Sequence, residues 1–141
     1  MIGRFPYQKL ASYPHMKPED VGIWERFLAK YPDYFQRCDY DVKVGQGRMP
    51  EFRQTENMEK GWRDLTQKKI DVVGYNGENI CIVEVKPNAR ANALGQMWMY
   101  DELYKADFNP KGRVHNLIIT DREDTDTMNV AKSGDIEIII V

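Results

Sequence analysis

The chain has 141 residues with a formal net charge of −2, and 42% of its residues are hydrophobic. This length fits one domain, residues 1–141, and the apolar content suffices for a packed core and excludes wholesale disorder. No run of about 18 apolar residues occurs, so no membrane span is predicted. The N-terminus lacks the continuous apolar segment of a signal peptide, so we expect a cytoplasmic protein.

The first elements are predicted from prolines and from alternation. Residues 1–17 hold two prolines and several aromatic residues, and we expect an extended arm packed on the domain. A helix is predicted next, because Pro18 suits a first turn, two acids follow it, and Pro32 stops the pattern. A half-buried strand is then predicted, with one face formed by Cys38, Tyr40, Val42 and Val44.

The middle of the chain is polar. Residues 45–67 are predicted to form a long polar loop, with room for a short strand or helix that the pattern does not place. Residues 43–69 carry seven basic and four acidic side chains. Such a segment is either a phosphate-binding patch or a solvated loop, and its composition leaves both open.

The second half alternates strands and helices. Strands are predicted at 68–75 and 79–86, a helix at 88–107, and strands at 113–120 and 135–141. This order predicts an α/β fold with a mixed sheet covered on both faces. The two cysteines, Cys38 and Cys81, fall in predicted strands, where buried free thiols are expected rather than a disulfide or a four-cysteine metal site.

Charged residues interrupt the apolar hairpin at 71–86. Asn76-Gly77 predicts the turn, and a turn centred there pairs Asp71 with Ile82. Glu84 is then a diagonal neighbour of Asp71, roughly 7–8 Å away at the backbone. Two carboxylates this close repel each other and raise each other's pKa unless a cation lies between them, and hard oxygen ligands suit Mg²⁺ or Mn²⁺.

A lysine completes the charged set. Lys86 shares a face with Glu84, because the side-chain period of a strand is two. There it can stabilise anionic charge or orient a water, so the set fits metal-assisted hydrolysis of a phosphodiester. The alternative is a surface ion pair of Glu84 and Lys86 at the end of a strand, and the predicted position of Asp71 favours catalysis.

These residues resemble the PD-(D/E)XK nuclease superfamily, whose motif places an acid on one strand and an acid-x-lysine on the next. Here those residues are Asp71 and the stretch Glu84-Val85-Lys86. In the following helix, Gln96 and Tyr100 resemble the Q-x-x-x-Y motif of the RecB and lambda exonuclease-like branch. The resemblance spans roughly residues 19–120 and implies a restriction-endonuclease-like α-β-β-β-α-β core. A proline usually precedes the first acid of the motif, and Ile70 replaces it here.

The resemblance implies a metal-dependent deoxyribonuclease of the size usual for phage or mobile-element nucleases. Asp71, Glu84 and the Val85 carbonyl would hold the metal, with Glu25 of the first helix as a further ligand. Lys86 and Gln96 would position water or phosphate, and Tyr100 would support Gln96. His15 matches an upstream histidine of some members by order alone and is expected to be structural. The DNA backbone would be held by Arg63, Lys68, Lys69 and Arg90.

Two alternatives stay open. The same fold can bind DNA or a protein without cutting, and an unrelated α/β domain can match by chance. Small nucleases of this kind often act as homo-oligomers or with other nucleic-acid-processing proteins. The sequence does not distinguish an exonuclease from an endonuclease, or DNA from RNA as the substrate.

Overall fold

A computed structural model describes residues 3–48 and 55–141. In this part of the chain one six-stranded sheet combines with four helices, which confirms the α/β class and the mixed sheet. The helices are α1 (Pro18–Lys30), α2 (Glu56–Thr66), α3 (Ala91–Phe108) and α4 (Thr125–Ser133). The strands are β1 (Phe5–Pro6), β2 (Arg37–Val44), β3 (Lys68–Asn76), β4 (Asn79–Val85), β5 (Val114–Thr120) and β6 (Ile136–Ile140).

The strands lie in the sheet in chain order, from β1 to β6. Pairing is antiparallel from β1 to β4 and parallel from β4 to β6. Parallel neighbours need a crossover connection, and α3 and α4 provide the two crossovers. The arm is also as expected, since its described part adds β1 to the sheet edge and packs Phe5 and Tyr7 on the core.

Each face of the sheet carries its own core. On one face, Trp24 of α1 packs in a cluster with Val83 and Val85 of β4. On the opposite face, Met97 of α3 packs in a cluster with Ile82 of β4. The alternation within β4 is therefore as predicted, because successive side chains point to opposite faces. Glu84 lies between Val83 and Val85 in the sequence, so its side chain points to the same face as that of Ile82, which α3 covers.

The segment 45–67 is not a loop throughout, because α2 occupies much of it. Thr55 caps this helix, and its side-chain oxygen accepts a hydrogen bond from the Met58 N–H at 3.3 Å. None of the α2 side chains is buried. Because α2 buries none of its side chains, it is not an element of the core, and the polar composition of the segment did not reveal it. Residues 49–54 of the predicted loop lie outside the described residues.

The single apolar face predicted for 38–44 is wrong. Tyr40 belongs to the cluster under α1, whereas Val44 belongs to the cluster under α3. Asp41 lies between them with a φ of 53°, in the left-handed region, which interrupts the alternation of side chains. Backbone pairing between β2 and β3 is also absent at Asp41, although it continues on both sides of this residue.

The described residues contain neither a membrane-spanning helix nor a disulfide. No helix in the stretches 3–48 and 55–141 is both long and apolar enough to cross a membrane. Cys38 and Cys81 are buried free thiols, as predicted. Burial raises the pKa of the Cys38 thiol to about 11, so it stays protonated at neutral pH.

Candidate active site

The β3–β4 hairpin has a register two residues away from the predicted one. Gly77 and Glu78 form the turn, Asn76 pairs with Asn79, and Val72 pairs with Val83. One step further along this register, Asp71 lies opposite Glu84 rather than diagonal to it. A shift of two residues keeps every side chain on its face, so the two acids still meet.

Asn76 explains why the turn moves. Its side-chain carbonyl accepts a hydrogen bond from the Gln36 N–H at 3.1 Å, and its amide donates to the Tyr34 carbonyl at 2.9 Å. The Gly77 N–H donates to Gln36 Oε1 at 2.9 Å, and Gly77 adopts a positive φ of 61°. These contacts hold Asn76 as the last strand residue, so it does not enter the turn.

Asp71 and Glu84 form the centre of the site. The Asp71 carboxylate accepts a hydrogen bond from the Val85 N–H at 2.9 Å, which replaces a backbone pairing at the end of β4. The Asp71 and Glu84 carboxyl groups are close neighbours, because each acts on the pKa of the other. Glu84 is only 7% exposed. The predicted convergence of the two acids on one face is therefore observed.

The electrostatics of the pair are unfavourable to two negative charges. Burial raises the pKa of Glu84 well above its ordinary value, and the neighbouring Asp71 charge raises it further. Burial also raises the pKa of Asp71, although the hydrogen bond from Val85 opposes this. Without a cation, the pair therefore retains a proton near neutral pH.

Three further predicted residues gather around the acids. Lys86 Nζ donates a hydrogen bond to Gln96 Oε1 at 3.3 Å, which joins the end of β4 to α3. Tyr100 lies one helical turn after Gln96 and is buried. Burial raises the pKa of Tyr100, and the charges of Glu84 and Asp71 raise it further, so its hydroxyl lies beside the pair and stays protonated.

The acid of α1 whose charge acts on the pair is Asp20, whereas Glu25 contacts other residues. The charge of Asp20 contributes to the raised pKa of both Asp71 and Glu84. Glu25 has other partners: the Tyr13 hydroxyl donates to it at 3.1 Å, and Lys9 Nζ lies 3.9 Å away. No sequence signal separates the acids of α1, because the choice depends on how this helix meets the end of the sheet.

Two of the basic residues predicted to hold DNA lie next to the acids in β3. Lys68 is exposed and Lys69 is partly exposed. Lys69 lies directly opposite Lys43 of β2. Like charges placed opposite each other are destabilising, so this pairing favours a bound anion.

The other two basic residues lie elsewhere. Arg90 forms an ion pair with Asp124, the N-cap of α4, and its phosphate contact stays a prediction. Arg63 is exposed on α2. His15 Nε2 lies 3.3 Å from Asp41 Oδ2, beside β2. The charge of Asp41 contributes to the raised pKa of Asp71, so the contact of His15 with Asp41 borders the site.

The residues present fit a divalent cation held by few protein ligands. Glu84 Oε2 is buried and has no hydrogen-bond partner among the described residues. Such an oxygen is unusual, since buried polar atoms are nearly always paired. Within residues 3–48 and 55–141, no group of three or more His, Cys, Asp or Glu side chains is arranged to hold a metal. Two carboxylates match Mg²⁺, which usually keeps several of its waters.

We compared the chain with known protein families, with curated proteins and with solved structures, and none of the three comparisons produced a match. A functional assignment therefore depends on the geometry and chemistry of the site itself. The two acids, the lysine and the glutamine are the groups that any assignment has to explain.

Proposed function

We propose that the chain is a Mg²⁺- or Mn²⁺-dependent nuclease that hydrolyses phosphodiester bonds of DNA. One observation carries the proposal: Asp71 and Glu84 meet in a partly buried site, where an oxygen of Glu84 has no hydrogen-bond partner among residues 3–48 and 55–141. A divalent cation would satisfy this oxygen and remove the repulsion between the two acids. The resemblance to the PD-(D/E)XK superfamily adds support, because the order α1, β2, β3, β4, α3, β5 agrees with its core.

Each residue has a distinct role in this proposal. Asp71 and Glu84 hold the cation, and the carbonyl of Val85 is the further ligand implied by the resemblance. When bound, Mg²⁺ or Mn²⁺ supplies the positive charge that polarises a phosphoryl oxygen and acidifies the attacking water. The hydrogen bond of Lys86 to Gln96 aims the lysine ammonium group. Lys86 then stabilises the negative charge that develops on the phosphate.

The hydroxyl of Tyr100 and the carboxylate of Asp20 act at the margins of the site. Tyr100 stays protonated and can donate a hydrogen bond to an acid or to a phosphate oxygen. Asp20 reaches the same acids from α1 through its charge, so we propose it in place of Glu25 as the helix acid. Its carboxylate would orient waters around the cation.

The surface next to the acids suits a phosphate backbone. Lys43 and Lys69 face each other across β2 and β3, and Lys68 is the next residue along β3. Contacts of this kind position DNA without reading its sequence. We therefore propose cleavage without strong sequence preference, by an enzyme of the cytoplasm. The resemblance to the PD-(D/E)XK superfamily is the basis for proposing that the chain acts as a homo-oligomer or with other nucleic-acid-processing proteins.

The deciding experiment is cleavage of end-labelled DNA. Single-stranded, duplex and branched substrates are incubated with Mg²⁺, Mn²⁺ or EDTA, and the products are resolved on denaturing gels. We expect cleavage with either metal and none with EDTA. Lys86→Ala should lower the rate roughly a hundred- to a thousandfold, the usual effect of losing a group that stabilises transition-state charge. Its melting temperature and DNA affinity should stay near those of the wild type.

A matched control is Lys132→Ala, which removes an exposed lysine of α4. This variant should cleave at the wild-type rate. Asp71→Ala should lose activity through weaker metal binding, so excess Mn²⁺ should restore part of it, whereas Lys86→Ala should not respond. If Lys86→Ala cuts as fast as the wild type, the catalytic set is wrong. Binding of DNA without cleavage by any metal would favour the alternative of a non-catalytic binding module.

A further inference from the structure

A groove runs along the face of the sheet that α3 covers, next to the Asp71–Glu84 pair. Its volume is about 1120 Å³, and it lies between β2, the turn of the β3–β4 hairpin and the C-terminal end of α3. Asp41 lines the groove and its charge also acts on Asp71, so the groove adjoins the candidate site. From there the groove extends towards Gly77 and Glu78 at the hairpin turn.

An aromatic platform stands in this groove. Phe108 lines the groove, and its side chain is 50% exposed. The ring stacks on Tyr104, with centroids 4.6 Å apart and an angle of 29° between the planes. Tyr104 is itself buried, so it fixes Phe108 from behind. The ring therefore presents a preformed surface on which another flat ring can stack.

The lining is also suited to a polyanion. Four cations line the groove, namely Arg4, Arg37, Lys43 and Lys111, against the acids Asp39, Asp41 and Glu78. Asp39 is already satisfied, because it accepts hydrogen bonds from the Arg4 N–H and the Tyr75 hydroxyl, both at 2.8 Å. Asp41 is engaged by His15 at 3.3 Å. The four cations outnumber the three acids, so the lining has a net positive charge, which complements a phosphate chain.

We propose that this groove binds a single strand of nucleic acid beside the cleavage site. Phe108 stacks on an unpaired base, and Lys43 and Lys111 contact phosphates on either side of it. Grooves that combine cations with exposed aromatic rings bind single strands in this way, since every base has a face for stacking. A fully paired duplex keeps its bases stacked inside, so Phe108 has no base to engage. The inference rests on the proposed function for its choice of DNA, but it concerns binding alone.

The test measures binding without cleavage. A fluorescein-labelled oligothymidylate is titrated with protein in EDTA, and anisotropy gives the dissociation constant. Phe108→Ala should weaken binding roughly tenfold or more, the usual effect of removing one stacking ring. Phe108→Trp should bind at least as well as the wild type. The matched control is Trp98→Ala, which removes a ring of the same helix that is 71% exposed and lies outside the groove.

The phosphate contact is tested separately. Lys111→Glu should weaken binding and flatten the dependence of affinity on salt, because fewer counterions are released. Unchanged affinity of Phe108→Ala, or an equal loss in Trp98→Ala, would overturn the groove assignment. So would an equal loss by Phe108→Ala on fully duplex DNA. Because EDTA prevents cleavage, a protein that never cuts DNA can still pass this test, and an active nuclease can fail it.

Discussion

Replacing Glu84 by glutamine should stabilise the protein in the absence of metal. Glu84 is 7% exposed and lies against Asp71, and burial with that neighbouring charge raises its pKa from 4.5 to about 8. The folded chain therefore keeps a proton that the unfolded chain releases above pH 4.5. Glutamine has the same shape and no proton to release, and its amide can donate to Asp71 in place of the acid.

The magnitude follows from the two pKa values. Between pH 4.5 and 8, the free energy of unfolding of the wild type falls by about 1.4 kcal/mol for each unit that the pH rises. At pH 7 the accumulated cost is about 3 kcal/mol. The stability of the wild type should therefore fall as pH rises through this window, and the glutamine variant should escape most of that fall. A gain of about 1–3 kcal/mol raises the melting temperature by roughly 3–10 °C for a domain of this size.

Thermal melting in EDTA at pH 5, 6, 7 and 8 measures the effect, with circular dichroism as the probe. The control is Glu102→Gln, the same chemical change at an exposed position of α3. We expect the gain of Glu84→Gln to be small at pH 5 and to grow with pH, and Glu102→Gln to show no such trend. A gain that is absent at pH 8, or that does not depend on pH, would refute the buried, proton-sharing pair. Adding Mg²⁺ or Mn²⁺ should then stabilise the wild type more than Glu84→Gln, since a ligand stabilises only the chain that binds it.

Two further predictions concern residues around the pair. Replacing Lys68 and Lys69 together by glutamate should weaken DNA binding across all sequences and lower the salt dependence of the affinity; an unchanged salt slope in filter binding would assign these lysines to solubility alone. Asp20→Asn should raise the Mg²⁺ concentration needed for half-maximal cleavage in a Mg²⁺ titration, because the charge of Asp20 acts on both acids of the site. Glu25→Gln is its comparison within α1 and should leave the titration unchanged, and equal effects of the two would contradict the assignment of Asp20.

The hairpin illustrates which parts of the site a sequence can predict. Alternation in β4 correctly assigned the face of Glu84, because the period of two is local. In β3 the alternation is interrupted at Asp71, since Ile70 and Val73 both belong to the cluster under α3 and Val72 to the cluster under α1. The turn was placed wrongly, because Asn76 is held by Tyr34 and Gln36, more than 35 residues earlier in the chain. The error amounted to two residues, so the faces survived it.

Positions that depend on packing between elements were not predictable. Asp20 and Glu25 lie on the same helix, and only the placement of α1 against the end of the sheet distinguishes them. The change of face at Asp41 carried one weak signal, since aspartate tolerates a positive φ better than most residues. The pairing of Arg90 with Asp124 carried none, because its partner belongs to a later helix.

The chain order of the strands has a consequence for how the protein folds. Each strand pairs with the strand that precedes it in the sequence, but a helix separates every such pair except β3 and β4. Closing a short loop costs less entropy than closing a long one. The hairpin of β3 and β4 needs the shortest closure, since two residues join its strands. We expect this hairpin to form early and the sheet to grow from it in both directions, so that Asp71 and Glu84 meet before the helices that enclose them have docked.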